Sequence, residues 1–130
     1  MTPELHYLTL SAVFTALIWI PYVVDLLARN PIKDAVGYPE QPPKMVPWAE
    51  RLKKAHYNAV ENLVVFAALV FVLHATESAT DLTATAAMTY FWARVVHAVS
   101  YTFAIPWVRT LSFAVAWIAM ILIGWVVLHG

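Results

Sequence analysis

The stretch that decides the fold is residues 50–62, Glu-Arg-Leu-Lys-Lys-Ala-His-Tyr-Asn-Ala-Val-Glu-Asn, which open an apolar run from Leu63 to Leu73. At about 100° per residue, a helix over this stretch gathers five polar side chains within an arc of roughly 100°. These are Arg51, Lys54, Asn58, Glu61 and Asn62. Polar groups that extend toward the middle of a membrane helix are costly and usually face protein, water or a ligand. We therefore expect this face to bind a polar, anionic small molecule.

The composition indicates an integral membrane protein. Of the 130 residues, 62% are hydrophobic and 12% are charged, whereas a soluble domain carries about 25% charged residues. Eight basic and eight acidic residues give a net charge of zero, so the overall charge does not favour nucleic-acid binding. The absence of cysteine excludes disulfides, thiolate metal sites and a protein thiol nucleophile. Any thiol chemistry would therefore need a thiol carried by a ligand.

Four helices are expected to cross the membrane as one domain. They are predicted over residues 3–29, 48–76, 82–103 and 108–128. Pro21 should kink the first helix, and Asp81 or Thr83 should cap the third. The last helix contains an uncharged run of 18 residues, Leu111–Leu128, which can span a membrane together with its first turn. The expected fold class is an all-α integral membrane four-helix bundle.

The basic residues predict the orientation of this bundle. Six of them lie between positions 29 and 54, namely Arg29, Lys33, Lys44, Arg51, Lys53 and Lys54. The third connection adds Arg109, whereas the second contains Glu77 and Asp81 but no cation. By the positive-inside rule, the first and third connections face the cytoplasm and both termini lie on the other side.

The third predicted helix carries a second polar face. Its members are spaced by four, three and four residues and form one stripe about 60° wide; they are Tyr90, Arg94, His97 and Tyr101. Matching depth between the second and third helices places Glu61 and Arg94 near the middle of the bilayer. A lone charge there is costly, so we expect these two residues to form an ion pair.

Two interpretations of the polar faces on the second and third predicted helices stay open. The ion pair alone is explained equally well by a structural role that fixes the register of the helices. Four further polar residues exceed what two helices need to satisfy each other, and this surplus favours an anionic ligand or a second subunit. They are Lys54, Asn58, His97 and Tyr101.

Arg109 is expected to begin the last helix, level with Lys54 and Tyr101. The position of Arg109 alone favours a simpler role, in which its charge only anchors the cytoplasmic end of the helix. The functional interpretation is that a guanidinium beside a helix N-terminus stabilises a thiolate or a developing oxyanion. His56 points away from the polar face and is expected to pack between helices. No spacing of His, Asp and Glu predicts a metal site.

The order of these motifs resembles the MAPEG family, the membrane-associated proteins in eicosanoid and glutathione metabolism. The motifs are Glu50-Arg51-x-x-Lys54-Ala55-His56-x-Asn58-x-x-Glu61-Asn62, then Arg94-x-x-His97-x-x-x-Tyr101, then Pro106-x-x-Arg109-Thr110. The family includes microsomal glutathione transferases, leukotriene C4 synthase and prostaglandin E synthase. The resemblance covers all four predicted helices and implies a four-helix protomer that assembles into a homotrimer.

The resemblance also implies a site. Glutathione would bind as co-substrate between neighbouring subunits at the cytoplasmic side, and a lipophilic co-substrate would approach from the membrane lipid. The glutathione-contacting positions correspond to Lys54, Asn58, Glu61, His97 and Tyr101. Arg94 would lie beside the site, and Arg109 would stabilise the glutathione thiolate. The short loops resemble those of bacterial members, which implies a bacterial inner membrane.

The chain departs from the family pattern in four respects, one of which is the length of the stretch from Tyr101 to Arg109. Lys54 stands where glutathione-using members usually have arginine, so a point charge replaces a bidentate clamp. Asn62 replaces a tyrosine found in some synthases. The first helix should supply an arginine, for which Arg29 is the nearest candidate.

Three functions are compatible with the sequence. The leading hypothesis is a glutathione transferase or peroxidase that acts on lipophilic electrophiles. The second is a non-catalytic lipid-binding protein of the same fold, in which loss of Arg109 would have no effect. The third is a structural or transport-accessory protein. In that case, the stability lost by changing Glu61 or Arg94 alone would be restored by exchanging the two residues.

Overall fold

The computed structural model describes residues 1–130 and is entirely helical. Its helices are α1 (Pro3–Leu17), α2 (Trp19–Arg29), α3 (Ile32–Val36), α4 (Pro47–Ala75), α5 (Asp81–Thr102) and α6 (Pro106–His129). The all-α class expected from the sequence is confirmed.

Three segments are long and apolar enough to cross a membrane. They are Pro3–Arg29, Pro47–Ala75 and Pro106–His129. α5 has 22 residues and is therefore long enough, but its sequence is less apolar than the other three. This difference reflects the polar stripe that the sequence places on α5.

The first long segment is interrupted at Ile18, where α1 ends and α2 begins. The N–H of Ile18 still donates to the carbonyl of Phe14 at 3.2 Å, so the break follows directly on regular helix. Pro21 lacks an N–H, and its ring crowds the carbonyl four residues earlier, at Leu17. The interruption therefore lies just before the proline that the sequence marks as a kink.

α5 is the central helix and packs against α1, α4 and α6. The Phe66 ring on α4 stacks on the Tyr90 ring on α5, with centroids 3.8 Å apart, and both side chains are fully buried. Small side chains let the helices approach closely around this stack. They are Ala86, Ala87 and Ala93 on α5 and Ala116 and Ala119 on α6. The stack and its alanines fix the depth of α5 against α4.

The N-terminus of α5 is closed by a capping box. The N–H of Thr83 donates to Thr80 Oγ1 at 3.2 Å, and the N–H of Thr80 donates to Thr83 Oγ1 at 2.8 Å. Thr80 is therefore the cap, where the sequence predicts Asp81 or Thr83. The Thr83 hydroxyl also donates to Glu4 Oε1 at 2.5 Å. Glu4 is buried, so a carboxylate of α1 lies at the positive end of α5.

The opposite end of the protein carries most of the basic residues. We call the end at which α2 and α5 finish and α4 and α6 begin the basic end. The proline-rich loop over residues 37–46 is held there by Asn30. Asn30 Nδ2 donates to the carbonyl of Lys44 at 2.9 Å, and Asn30 Oδ1 accepts from the N–H of Lys44 at 3.1 Å. This pair of bonds fixes the loop beside the start of α4.

We expect Thr83→Ala to lower the free energy of unfolding by about 1–3 kcal/mol, because it removes half of the capping box and the partner of a buried carboxylate. Thr85→Ala is the matched control, since Thr85 is exposed and its hydroxyl bonds only the carbonyl of Asp81, at 2.9 Å. That change should cost less than about 0.5 kcal/mol. Thermal unfolding of the detergent-solubilised variants measures both, and equal losses would contradict the assigned role of Thr83.

Candidate functional site

A buried guanidinium joins the polar faces of α4 and α5. The Arg94 side chain is only 3% exposed, and its Nη2 donates to Asn58 Oδ1 at 2.6 Å. Its Nε and Nη1 atoms are buried without a hydrogen-bond partner in the chain. The buried guanidinium is therefore bonded to a neutral amide, and two of its nitrogen atoms have no acceptor in the chain.

The predicted ion pair between Glu61 and Arg94 is wrong. Arg94 bonds Asn58, one helical turn nearer the basic end, and Glu61 is exposed on the protomer surface. Counting residues from the outer ends of two antiparallel helices sets their relative depth only to within about one turn. The long Arg94 side chain then bonds the acceptor that lies in the protein interior, the Asn58 amide oxygen.

Asn62 bonds the same asparagine from one turn further along α4. Its Nδ2 donates to the Asn58 carbonyl at 2.8 Å and lies 3.3 Å from Asn58 Oδ1. The side-chain oxygen of Asn58 thus receives donors from both α5 and α4. We name the group Arg94, Asn58 and Asn62 the amide cluster.

A second group forms where α5 meets α6. The His97 ring is 3% exposed and meets the Tyr101 ring edge-on, with centroids 5.6 Å apart. The Arg109 guanidinium carbon lies 5.0 Å from the centroid of the Tyr101 ring, within cation–π range. His97 Nδ1 is buried without a partner. We name His97, Tyr101 and Arg109 the arginine–aromatic cluster.

A sharp turn brings Arg109 back against α5. Only Phe103, Ala104 and Ile105 separate α5 from α6, and Ala104 has a positive φ of 57°, which is uncommon for a residue other than glycine. The chain reverses within these residues, so the first turn of α6 lies beside the last turn of α5. Arg109 therefore combines its own charge with the positive end of a helix.

Lys54 belongs to neither cluster. It is exposed and lines a cavity of about 470 Å³ beneath Pro42 and Pro43 of the proline-rich loop. The same cavity is lined by Glu50, Lys53 and Tyr57. Lys53, which the sequence does not mark as a site residue, places its ammonium 5.7 Å from the Tyr57 ring centroid. The cavity therefore offers two ammonium groups and one carboxylate to a ligand.

Two arginines of the sequence motifs are engaged in structural bonds. Arg51 Nε donates to the carbonyl of Thr102, the last residue of α5, at 2.9 Å. This bond satisfies a carbonyl that a helix C-terminus leaves free. Arg29 Nε donates to Asp25 Oδ1 at 2.9 Å within α2. The candidate arginine of the first helix is thus paired within its own helix.

His56 has the packing role expected from the sequence. Its Nδ1 lies 2.7 Å from the hydroxyl oxygen of Tyr22, which joins α4 to α2 beyond the helix break. Tyr22 is buried, and nothing in its sequence context separates it from an ordinary membrane aromatic. No group of three or more His, Asp or Glu side chains lies close enough together to hold a metal ion.

Double-mutant cycles should separate the observed contact of Arg94 from the predicted one. We expect Arg94→Met and Asn58→Ala to couple by about 0.5–3 kcal/mol, as contacting residues do. Arg94→Met and Glu61→Ala should be additive within about 0.5 kcal/mol, because the two side chains share no partner. Thermal or denaturant unfolding in detergent measures both cycles. A larger coupling for the Glu61 cycle would restore the ion pair.

The comparisons with known proteins agree with the motifs. A family model described as "MAPEG family" matches residues 8–129 of the 130-residue chain. No curated protein and no solved structure matches the chain. The matched range contains every helix from the second turn of α1 onward, so the resemblance drawn from the sequence is confirmed. Together with the three long apolar segments, it identifies a multi-pass integral membrane protein.

Proposed function

The chain belongs to the MAPEG family, and from that premise we propose that it is a membrane-bound glutathione transferase or peroxidase acting on lipophilic electrophiles. The observation that carries this proposal is the arginine–aromatic cluster. There, a guanidinium in the first turn of α6 lies 5.0 Å from the Tyr101 ring centroid. Because the chain has no cysteine, the thiolate belongs to the ligand.

Arg109 is the catalytic residue of this proposal. Its guanidinium and the N-terminus of α6 stabilise the negative sulfur after the thiol gives its proton to water. Stabilising the thiolate raises the fraction of ligand in the nucleophilic form, and holding it beside the electrophile supplies the proximity effect. The sulfur then forms a bond to an electrophilic carbon, and the electron pair of the broken bond departs with the leaving group.

The peroxidase reaction uses the same thiolate. The sulfur attacks one oxygen of a hydroperoxide, the O–O bond breaks, and the released alkoxide takes a proton to become an alcohol. A second glutathione then reduces the oxidised sulfur, which yields glutathione disulfide and water. Both reactions need one activated sulfur and an apolar approach for the electrophile.

The rest of the glutathione is assigned to polar groups of α4 and α5. The contacts are Lys54, Asn58, Glu61, His97 and Tyr101, with Arg94 behind Asn58. Lys54 and Lys53 share a cavity in which their ammonium groups can bind the ligand carboxylates. A lysine at position 54 binds as a point charge, and a second lysine beside it offsets the missing bidentate arginine.

The homotrimer that the family resemblance implies is supported by an uncovered charge on α4. Glu61 is exposed in the middle of a membrane-capable helix, and a carboxylate that faces lipid is costly. A neighbouring subunit covers this face in the proposal, and glutathione lies between the two chains. α5 then acts as the fourth membrane segment of a four-helix bundle. Its 22 residues extend over about 33 Å, enough to cross the hydrocarbon core.

The proposed location is a bacterial inner membrane with the basic end in the cytoplasm. Arg29, Arg51 and Arg109 all lie at that end, as the positive-inside rule requires of the cytoplasmic side. The site then opens to the compartment that supplies glutathione, while the electrophile arrives through the bilayer.

Ultraviolet difference absorbance near the thiolate band tests the catalytic assignment. We expect a signal that saturates as glutathione is added to the detergent-solubilised wild type. Arg109→Ala should remove this signal because the thiolate loses its counter-charge. Lys33→Ala is the matched control, since it deletes an exposed cation of α3 and should leave the signal unchanged. The absence of a wild-type signal at millimolar glutathione would reject the transferase and favour the lipid-binding alternative.

Native mass spectrometry in mild detergent tests the assembly. We expect three copies of the chain, the number that the family resemblance implies, because the exposed charged face of α4 needs a protein partner in the membrane. Glu61→Leu should raise the fraction of monomer, since an apolar side chain at this position can face lipid or detergent without a partner subunit. A wild-type protein that is monomeric in several detergents would contradict the proposed site between subunits.

A further inference from the structure

A groove opens where the first membrane segment changes direction. α1 packs against both α4 and α5, whereas α2, which begins after the break at Ile18, packs against α4 and not against α5. The last turns of α5 are therefore left uncovered on this side. The space lies between residues 14–21 of α1 and α2, residues 48–52 of α4 and residues 98–103 at the end of α5. We call it the kink groove.

The lining of the kink groove is suited to hydrocarbon. No charged side chain lines it, and the one hydroxyl in its lining belongs to Thr102. That hydroxyl donates to the carbonyl of Ala98 at 2.8 Å, so it is satisfied within α5 and is not free for a ligand. The volume of the groove is about 470 Å³, which lies within the usual range for small-molecule sites, about 300–1,000 Å³.

The kink groove extends inward from the basic end. α1 and α2 run toward that end, so Phe14 lies deepest and Pro21 lies nearest the mouth. The wall between these two residues is about 10 Å long by the rise of a helix. Trp48 lines the mouth from the first turn of α4, and tryptophan is typical of the boundary between headgroups and hydrocarbon. The groove therefore has the depth of the part of an acyl chain that adjoins a lipid headgroup.

Arg51 lies at the mouth of the kink groove. Its Nε donates to the carbonyl of Thr102 at 2.9 Å, and its neighbours Trp48 and Leu52 line the groove. The guanidinium therefore bridges the α4 and α5 walls at the basic end. Its two terminal nitrogens make no hydrogen bond within the chain and are not among the buried polar atoms that lack a partner. They are accessible, and no carboxylate of the chain pairs with them.

We infer that the kink groove binds an anionic phospholipid, whose acyl chain packs between the three walls and whose phosphate accepts hydrogen bonds from Arg51. Guanidinium and phosphate form bidentate, charge-assisted hydrogen bonds, and the bond to Thr102 holds the guanidinium in place for this contact. An uncharged lipophile would fill the groove but leave the cation without an acceptor. The inference is independent of glutathione, because Arg94, His97 and Tyr101 lie on a different face of α5.

The bound chain takes the place of the contact that α2 does not make with α5. It fills the apolar space beside the break at Ile18 and so joins the two helices. Because the lipid binds the folded protein, its binding should raise the melting temperature as the lipid concentration rises.

Native mass spectrometry of the detergent-solubilised chain measures the binding of phosphatidylglycerol. We expect a diacylglycerol with the same acyl chains to bind at least about tenfold more weakly, since it lacks the phosphate that accepts from a charged donor. Glycerol phosphate, which lacks the acyl chains, should not bind at the same concentration. Arg51→Gln should remove the preference for phosphatidylglycerol over diacylglycerol. Lys53→Gln is the matched control, because it deletes a cation of α4 that lines a different cavity, and it should keep the preference.

A second pair of variants tests the kink groove itself. Val99 is half exposed on the α5 wall, so Val99→Trp should fill the space and lower the affinity for both lipids about tenfold. Val96→Trp is the matched control. Val96 is similarly exposed on α5 but lines the groove between α5 and α6, so this change should leave both affinities as in the wild type.

Each outcome decides for or against the inference. Equal binding of phosphatidylglycerol and diacylglycerol by the wild type overturns the role of Arg51, and equal binding of glycerol phosphate shows a site for free anions only. Unchanged affinities in Val99→Trp overturn the groove assignment. A Val99→Trp variant that dissociates into monomers but keeps its lipid would show that a second copy of the chain occupies the groove. Should Arg51→Gln fail to fold, the wild-type comparison and the Val99 variant still decide.

Discussion

The 2.6 Å contact between the Arg94 guanidinium and the Asn58 amide is the interaction on which the arrangement of α4 and α5 depends. A buried cation is tolerated only where an acceptor meets it at the right depth. The Phe66–Tyr90 stack and the alanines around it set that depth by bringing the helix backbones close together. Once α5 is fixed in this way, its remaining polar residues fall into position toward the basic end.

The two parts of the proposed site are carried by different pairs of helices. The amide cluster joins α4 to α5, and the arginine–aromatic cluster joins α5 to α6. Arg51 and Asn30 tie the basic end together by bonding to main-chain atoms of α5 and of the proline-rich loop. Groups held in this way need little rearrangement when a ligand binds, which is what efficient positioning of a nucleophile requires.

Composition and proline positions were enough to predict the all-helical class and the interruption before Pro21, because both follow from local chemistry. The partner of Arg94 was not predictable in the same way. Sequence spacing gives the face of a helix but not its depth against a neighbour, and an error of one turn exchanges Asn58 for Glu61. The buried Glu4 was missed for a related reason. Its partner Thr83 is 79 residues away, and no local pattern connects them. The same limit applies to the cavity around Lys54, which depends on how the proline-rich loop folds back.

The bond between Glu4 and Thr83 also bears on how the chain is made. Glu4 is synthesised 79 residues before Thr83, so the hydroxyl that donates to its carboxylate does not exist until the start of α5 has been made. Until then its carboxylate has no protein partner and stays in water at the membrane surface rather than in the lipid. The start of α1 therefore settles into its final place only after α5 has inserted. Burial of the Glu4 carboxylate is therefore a late step of membrane insertion, although α1 precedes α5 in the chain.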